Sequence, residues 1–459
     1  MPLVTPLYPY RRPTPVPPAT VGATPAKPSR DAGIDALRAG CLLIVVVLHS
    51  LMVGVTRSDD GGLVTSVALN GSWGFTVASW FFQVMPLFFM AGGFASLTQW
   101  RRLEASGTTA SEYVLGRVRR LALPTAVMVT FIGAGLLTAR ICGASSDLLA
   151  SAGLHAVQPL WFLAVYVGCT ALVPVMERLH RRHGVSVLAW LGAGVVIVDL
   201  LARVTSPAVG FLNLALVWPL MQQLGFLVHD GALQAWSRRR LIGAAAGSLG
   251  LLGTLMALGY SPNMLVNLNP PTLALVFLGL AQFFLLVAVR PRMNAALDSP
   301  RARKITSALS GWSMGVYLWH LPVALVLVAV LGGLNAGLPR PESLSWWFTR
   351  IPWMVAVFGC TAAAAAAARR IQGLLLSVGA ARSAVQSVRG RRPGMNRPVL
   401  TATLSASAAI VGTATVLLLG AASWVGVGVG VALIWFSVLL SHQRRATQGS
   451  RLTSGAGQV

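Results

Sequence analysis

Arg38 and His49 stand eleven residues apart in an almost wholly apolar stretch, Arg38-Ala-Gly-Cys-Leu-Leu-Ile-Val-Val-Val-Leu-His49, which runs on through Leu51-Met52-Val53-Gly54-Val55. An imidazole changes charge near neutral pH and is the usual side chain for proton transfer. A guanidinium recognises anions with paired, charge-assisted hydrogen bonds. The stretch reads as a transmembrane helix. At about 1.5 Å of rise per residue, His49 sits roughly 16 Å deeper than Arg38. In a hydrocarbon core of about 30 Å that is near or just beyond the midplane. Ionisable groups at that depth are costly and mark functional sites. Asp35 precedes Arg38 by three residues, a helical neighbour spacing at which a carboxylate can orient the guanidinium.

A second imidazole, His320, lies about ten residues into another apolar run that begins near Ser310, at a depth matching His49. Tyr317 is one turn below it on the same helix face. The two histidines could therefore face one chamber; each could also simply hydrogen-bond a neighbouring helix. Asp199 falls near the outer end of a span and reads as an interfacial carboxylate. A separate basic group, Arg117, Arg119 and Arg120, enters the third span, with Arg117 and Arg120 in an R-x-x-R spacing. Guanidinium forks match phosphate oxygens, so a phosphate clamp is one reading; anchoring at the membrane face is the other.

The elements that must hold these groups follow from composition. Hydrophobic residues make up 55% of 459 and charged residues only 10%, which excludes an ordinary soluble domain. Twelve apolar runs of spanning length are expected, the first near 39–56, the second near 75–98, the fourth near 159–176, the ninth near 309–331, the tenth near 351–368, and the last two near 401–420 and 423–441. The predicted fold is all-α and polytopic: a ten-helix body, residues 30–370, plus a terminal two-helix hairpin, residues 401–441. A Pro-rich tail (1–29), a basic linker (371–400) and a terminal tail (442–459) complete the chain. Of 36 Lys and Arg, 31 fall on one side of this arrangement; Arg57, Arg140, Arg203, Arg340 and Arg350 fall on the other. The positive-inside rule then places both termini in the cytoplasm of a cell-membrane protein. The net charge of +24 is thus a topology signal with the lipid bilayer as its partner, not a nucleic-acid footprint. Cys41, Cys142, Cys169 and Cys360 lack metal-ligand or disulfide spacing, and no metal is expected.

Ile34-Asp35-Ala36-Leu37-Arg38-Ala39 followed by His49 resembles the opening of the membrane acyltransferase-3 family, in which an arginine is followed after ten residues by a histidine. Met85-Pro86-Leu87-Phe88-Phe89-Met90-Ala91-Gly92-Gly93-Phe94, the pair Arg117 and Arg120, Leu160-Trp161-Phe162-Leu163, and Ser313-Met314-Gly315-Val316-Tyr317-Leu318-Trp319-His320-Leu321-Pro322 are similar to later blocks of that family, in the same order. The resemblance covers about residues 30–370. It implies an O-acyltransferase that moves an acyl group, often acetyl, from acyl-CoA to a hydroxylated acceptor: a carbohydrate, glycolipid or small molecule. It implies no permanently bound cofactor. His49 would be the general base, with Arg38 and Asp35 organising the site. Arg117, Arg119 and Arg120 would meet the donor's phosphates, and Tyr317, His320 and Trp161 would line the chamber. One departure is Gly92, where the family usually carries serine. A competing class is a transporter of an amphipathic solute with its membrane histidines as a proton relay. Against it, the sequence shows neither an internal repeat nor a matching pair of broken helices.

Overall fold

Apolar stretches with so few charges fold as helices because lipid leaves the backbone no other hydrogen-bond partner. The computed structural model describes residues 31–57, 63–69, 71–334, 339–388, 397–421 and 423–442. The expected Pro-rich tail and nearly all of the terminal tail lie outside these residues. The helices are α1 (Ala32–Met52), α2 (Trp73–Phe82), α3 (Met85–Ala105), α4 (Ala110–Ile141), α5 (Ser146–Val157), α6 (Leu160–His183), α7 (Ser186–Val204), α8 (Val217–His229) and α9 (Arg238–Ala257). They continue with α10 (Leu273–Ala296), α11 (Pro300–Gly333), α12 (Leu344–Val388), α13 (Pro398–Leu419) and α14 (Trp424–His442). Among the described residues, eleven helical segments are long and apolar enough to cross a membrane, and a shorter apolar helix, Val425–Ser441, follows them. The chain is an all-α polytopic membrane protein.

Several boundaries differ from the sequence reading for identifiable reasons. The first helix stops at Met52 and not near 56. The next residues, Val53-Gly54-Val55-Thr56, favour extended backbone, and Val53–Arg57 (β1) pairs antiparallel with Leu63–Val67 (β2), Val53 opposite Val67. The second expected span is two helices, α2 and α3, interrupted at Gln83 and Val84. Pro86 sits in the first turn of α3, where its missing N–H costs no intrahelical hydrogen bond. The break is sealed from within: Gln83 donates to the Met264 carbonyl at 3.1 Å, and Gln282 donates to the Gln83 carbonyl at 2.8 Å. The segment before the fourth span contains helix α5.

The basic linker also needs correction. Helix α12 runs 45 residues to Val388, through much of the segment assigned to linker. The alanine run Ala362–Ala368 has high helix propensity, and the next proline in the sequence is Pro393. The terminal pair α13–α14 is joined to the body by packing. It packs on α4 and α6, and Trp435 Nε1 donates to Thr130 Oγ1 at 3.2 Å.

The core depends on close helix approach. A Cβ on Gly93 would stand 2.4 Å from the Gln222 carbonyl oxygen, and one on Gly225 would stand 2.0 Å from that of Met90. Helices α3 and α8 therefore touch backbone to backbone, the use of small residues expected in lipid. Around this crossing Phe89 stacks on Trp218 with centroids 4.5 Å apart. Helix α1 lies against α11 and α12: Ser310 Oγ donates to the Asp35 carbonyl at 3.3 Å, and Trp353 Nε1 donates to the Ser50 carbonyl at 3.1 Å.

Candidate active site

Where α1 meets α11, the two membrane histidines touch. His49 Nδ1 is 2.8 Å from His320 Nε2, and the rings stack with centroids 5.0 Å apart and planes 9° apart. His320 is buried, and its Nδ1 is 2.6 Å from the carbonyl of Tyr317. This chain of contacts fixes the tautomers. A carbonyl can only accept, so Nδ1 of His320 carries the proton and its Nε2 is the acceptor. Nδ1 of His49 must then be the donor, and the lone pair of neutral His49 resides on Nε2. The same logic governs histidines whose second nitrogen is oriented by a neighbour. His320 lies thirteen residues short of the end of α11 at Gly333, about 20 Å of helical rise, and His49 lies in the last turn of α1.

Tyr317 serves this arrangement with its backbone; its hydroxyl donates 2.7 Å to the Pro159 carbonyl at the start of α6. Its ring meets Phe162 edge-on at 5.1 Å. The Trp161 ring lies near Phe162 and Trp218.

Among the described residues no ion pair joins Asp35 to Arg38. Asp35 is buried at the start of α1, and Arg38 keeps a buried Nε without a hydrogen-bond partner among the described residues. Arg117 is held in place by α3: one terminal nitrogen donates to Gln99 Oε1 at 2.9 Å and the other to Ser96 Oγ at 2.8 Å. Its Nε is also buried and unpartnered. Arg119 is half-buried and Arg120 exposed. Arg117 is thus a preoriented fork with donors left over.

A charge network at the same end of the bundle was missed from sequence. Glu177, 1% exposed, accepts from Arg101 at 2.7 Å and Arg181 at 2.6 Å. Arg101 also pairs with Asp230, which His180 and His229 approach at 3.3 and 2.8 Å. Burial works to raise the Asp230 carboxyl, but hydrogen bonds from His180, His229 and Arg101 outweigh it and hold it far below the usual carboxylate range. The signal available was Glu177, His180 and Arg181 at helical neighbour spacing on α6. At the opposite end Asp199 is buried and accepts from Asn213 at 2.6 Å, Tyr260 at 2.8 Å and the Leu273 backbone N–H at 2.8 Å. It ties three segments together. Burial and that bond to Asp199 push the Tyr260 hydroxyl up to about 12.

Residues 31–370 match the acyltransferase domain of the acyltransferase-3 family, a span that holds the histidine pair, Arg38 and the Arg117 fork. The chain belongs to this family. It is a membrane acyltransferase. No curated protein and no solved structure matches it. The family match ends within α12 and leaves α13 and α14 of this acyltransferase outside. Gly92 faces Tyr166: a Cβ there would lie 3.1 Å from the Tyr166 ring, tight enough that a larger residue requires the tyrosine to shift.

Proposed function

We propose that this acyltransferase transfers an acyl group from acyl-CoA to a hydroxyl of a carbohydrate, glycolipid or small hydroxylated molecule, with Nε2 of His49 as general base. The observation that carries this reading is the fixed tautomer of His49. Its base nitrogen points away from the hydrogen bond to His320 and carries the lone pair in the neutral state. In the reaction the acceptor O–H gives its proton to Nε2 as its oxygen bonds to the thioester carbonyl carbon. The C–S bond then breaks, and the imidazolium proton passes to the departing thiolate, regenerating neutral His49 and free CoA. A base that is neutral at working pH is what a weakly acidic hydroxyl requires.

In this proposal His320 keeps Nδ1 of His49 engaged and stabilises the imidazolium as it forms. Arg38 and Arg117, each with a buried unpartnered Nε, face the anionic donor together with Arg119 and Arg120. Asp35 supports the start of α1, and Tyr317 and Trp161 shape the surrounding wall. The arginine-rich end faces the cytoplasm of the cell membrane, where acyl-CoA is available. Purified protein in detergent, given acetyl-CoA and candidate acceptors, is expected to release free thiol in step with acylated product. Solute transport by reconstituted protein with no thiol release would replace this reading by the transporter.

A further inference from the structure

A cavity of about 740 Å³ opens at the arginine-rich end, between the α8–α9 turn and the last turns of α10. Its volume is that of a site for a cofactor-sized ligand. Among the described residues, three arginines line it, Arg238, Arg290 and Arg292, and no carboxylate does. Arg238 and Arg292 are exposed and have no acidic partner among the described residues. Arg290 lies across the Phe94 ring at 4.9 Å and donates to the Val228 carbonyl at 3.2 Å. Positive-inside anchoring explains why arginines are at this end. It does not explain their convergence on one concavity.

The rest of the lining defines the ligand further. Trp236 lies parallel to Phe284, planes 9° apart, yet remains 42% exposed, so part of an indole is available to a planar group. Leu241 supplies an apolar wall. Asn294 connects the cavity to the catalytic helix, its Oδ1 accepting from the Gly33 backbone N–H at the start of α1 at 3.0 Å. The cavity thus adjoins the foot of the helix that carries Arg38 and His49. It is separate from Arg117, which sits on the Ser96–Gln99 face of α3, whereas Phe94 and Arg101 face the α8–α9 side.

We infer that this cavity binds a phosphorylated nucleoside, the 3′-phosphoadenosine end of the acyl-CoA donor, and leaves the diphosphate to Arg117 and Arg120. Arg238, Arg290 and Arg292 meet the 3′-phosphate and Trp236 meets the base. The inference rests on the acyl-CoA reading above. An anionic lipid headgroup offers the same phosphate chemistry, but a lipid needs only an interfacial surface, while this cavity combines concavity, an aromatic face and three cations.

The test uses full-length protein in phosphatidylcholine nanodiscs, titrated with CoA, dephospho-CoA and 3′,5′-ADP. The wild type is expected to bind CoA and 3′,5′-ADP and to prefer CoA over dephospho-CoA. Arg238→Ala/Arg292→Ala is expected to weaken CoA and 3′,5′-ADP at least about tenfold and to lose that preference, since two charge-assisted contacts disappear. Trp236→Leu is expected to weaken both while leaving the 3′-phosphate preference intact. Both positions are exposed, and unchanged melting of the variants confirms folding. Unchanged CoA affinity in the folded double variant, with the wild type binding, overturns the cavity assignment alone. A wild type that binds neither CoA nor 3′,5′-ADP overturns the acyl-CoA reading with it. Loss of co-purifying anionic lipid from the double variant at unchanged CoA affinity assigns the cavity to lipid and rejects the nucleotide.

Discussion

His49 donates its Nδ1 proton to Nε2 of His320 across 2.8 Å, and His320 in turn donates from Nδ1 to the Tyr317 carbonyl at 2.6 Å. This two-step chain ends on a backbone oxygen of α11, which orients the His49 imidazole through His320. It leaves Nε2 of His49 as the nitrogen able to accept a proton.

Replacing that nitrogen tests the base directly. His49→Gln keeps a side chain capable of hydrogen bonding to His320 but provides no base at neutral pH. Turnover should fall by about 10²–10⁴-fold, the usual loss on removing a general base, with CoA affinity and melting nearly unchanged. Near wild-type turnover with a verified acceptor would end the mechanism.

His320 should behave as a positioning residue. His320→Ala is expected to lower kcat while leaving the donor KM in place. His320→Gln should restore much of the loss, because an amide oxygen can accept from His49 Nδ1–H. If both variants fold and are equally inactive, His320 takes part in proton transfer itself.

Arg117→Ala/Arg120→Ala is expected to raise the acyl-CoA KM by roughly tenfold or more and to change kcat little, as removal of two charge-assisted contacts predicts. An unchanged KM in correctly inserted protein would reduce these residues to membrane anchoring.

Gly225→Ala should destabilise the protein by about 1–3 kcal/mol, the range for overpacking, because its new Cβ would stand 2.0 Å from the Met90 carbonyl. Gly40→Ala is the control: nothing lies within 4 Å of a Cβ there, and melting should hold or rise.

Asp230 predicts an acid-dependent loss of stability. Its carboxyl is held low in the folded protein, so it contributes stability above the ordinary Asp value of about 3.9 and loses that contribution as pH falls below it. Asp230→Asn should therefore melt lower than wild type at pH 7, and the gap should narrow progressively below about pH 4. A gap independent of pH would mean the ionised carboxylate is not what matters.

The sequence by itself determined the class of molecule, most of its spans and the residues able to do chemistry. Long runs nearly empty of charge have one stable form in lipid, and the scarcity of ionisable groups within them exposed Arg38, His49 and His320 to inspection. Helical arithmetic also gave the two histidines similar depth, because rise per residue is a local property. What only the tertiary structure decided was which faces meet. The 2.8 Å contact between His49 and His320 depends on how α1 and α11 rotate and cross, which no periodicity specifies. The tautomer of His49, and hence which of its nitrogens carries the lone pair, follows from that contact. Arg101 on α3, Glu177 on α6 and Asp230 at the end of α8 lie far apart in sequence, and their ion pairs arise only when α3, α6 and α8 converge. The α3–α8 convergence itself needs Gly93 and Gly225, whose missing side chains let two backbones touch. Depth was written along single helices; partnership was written between them.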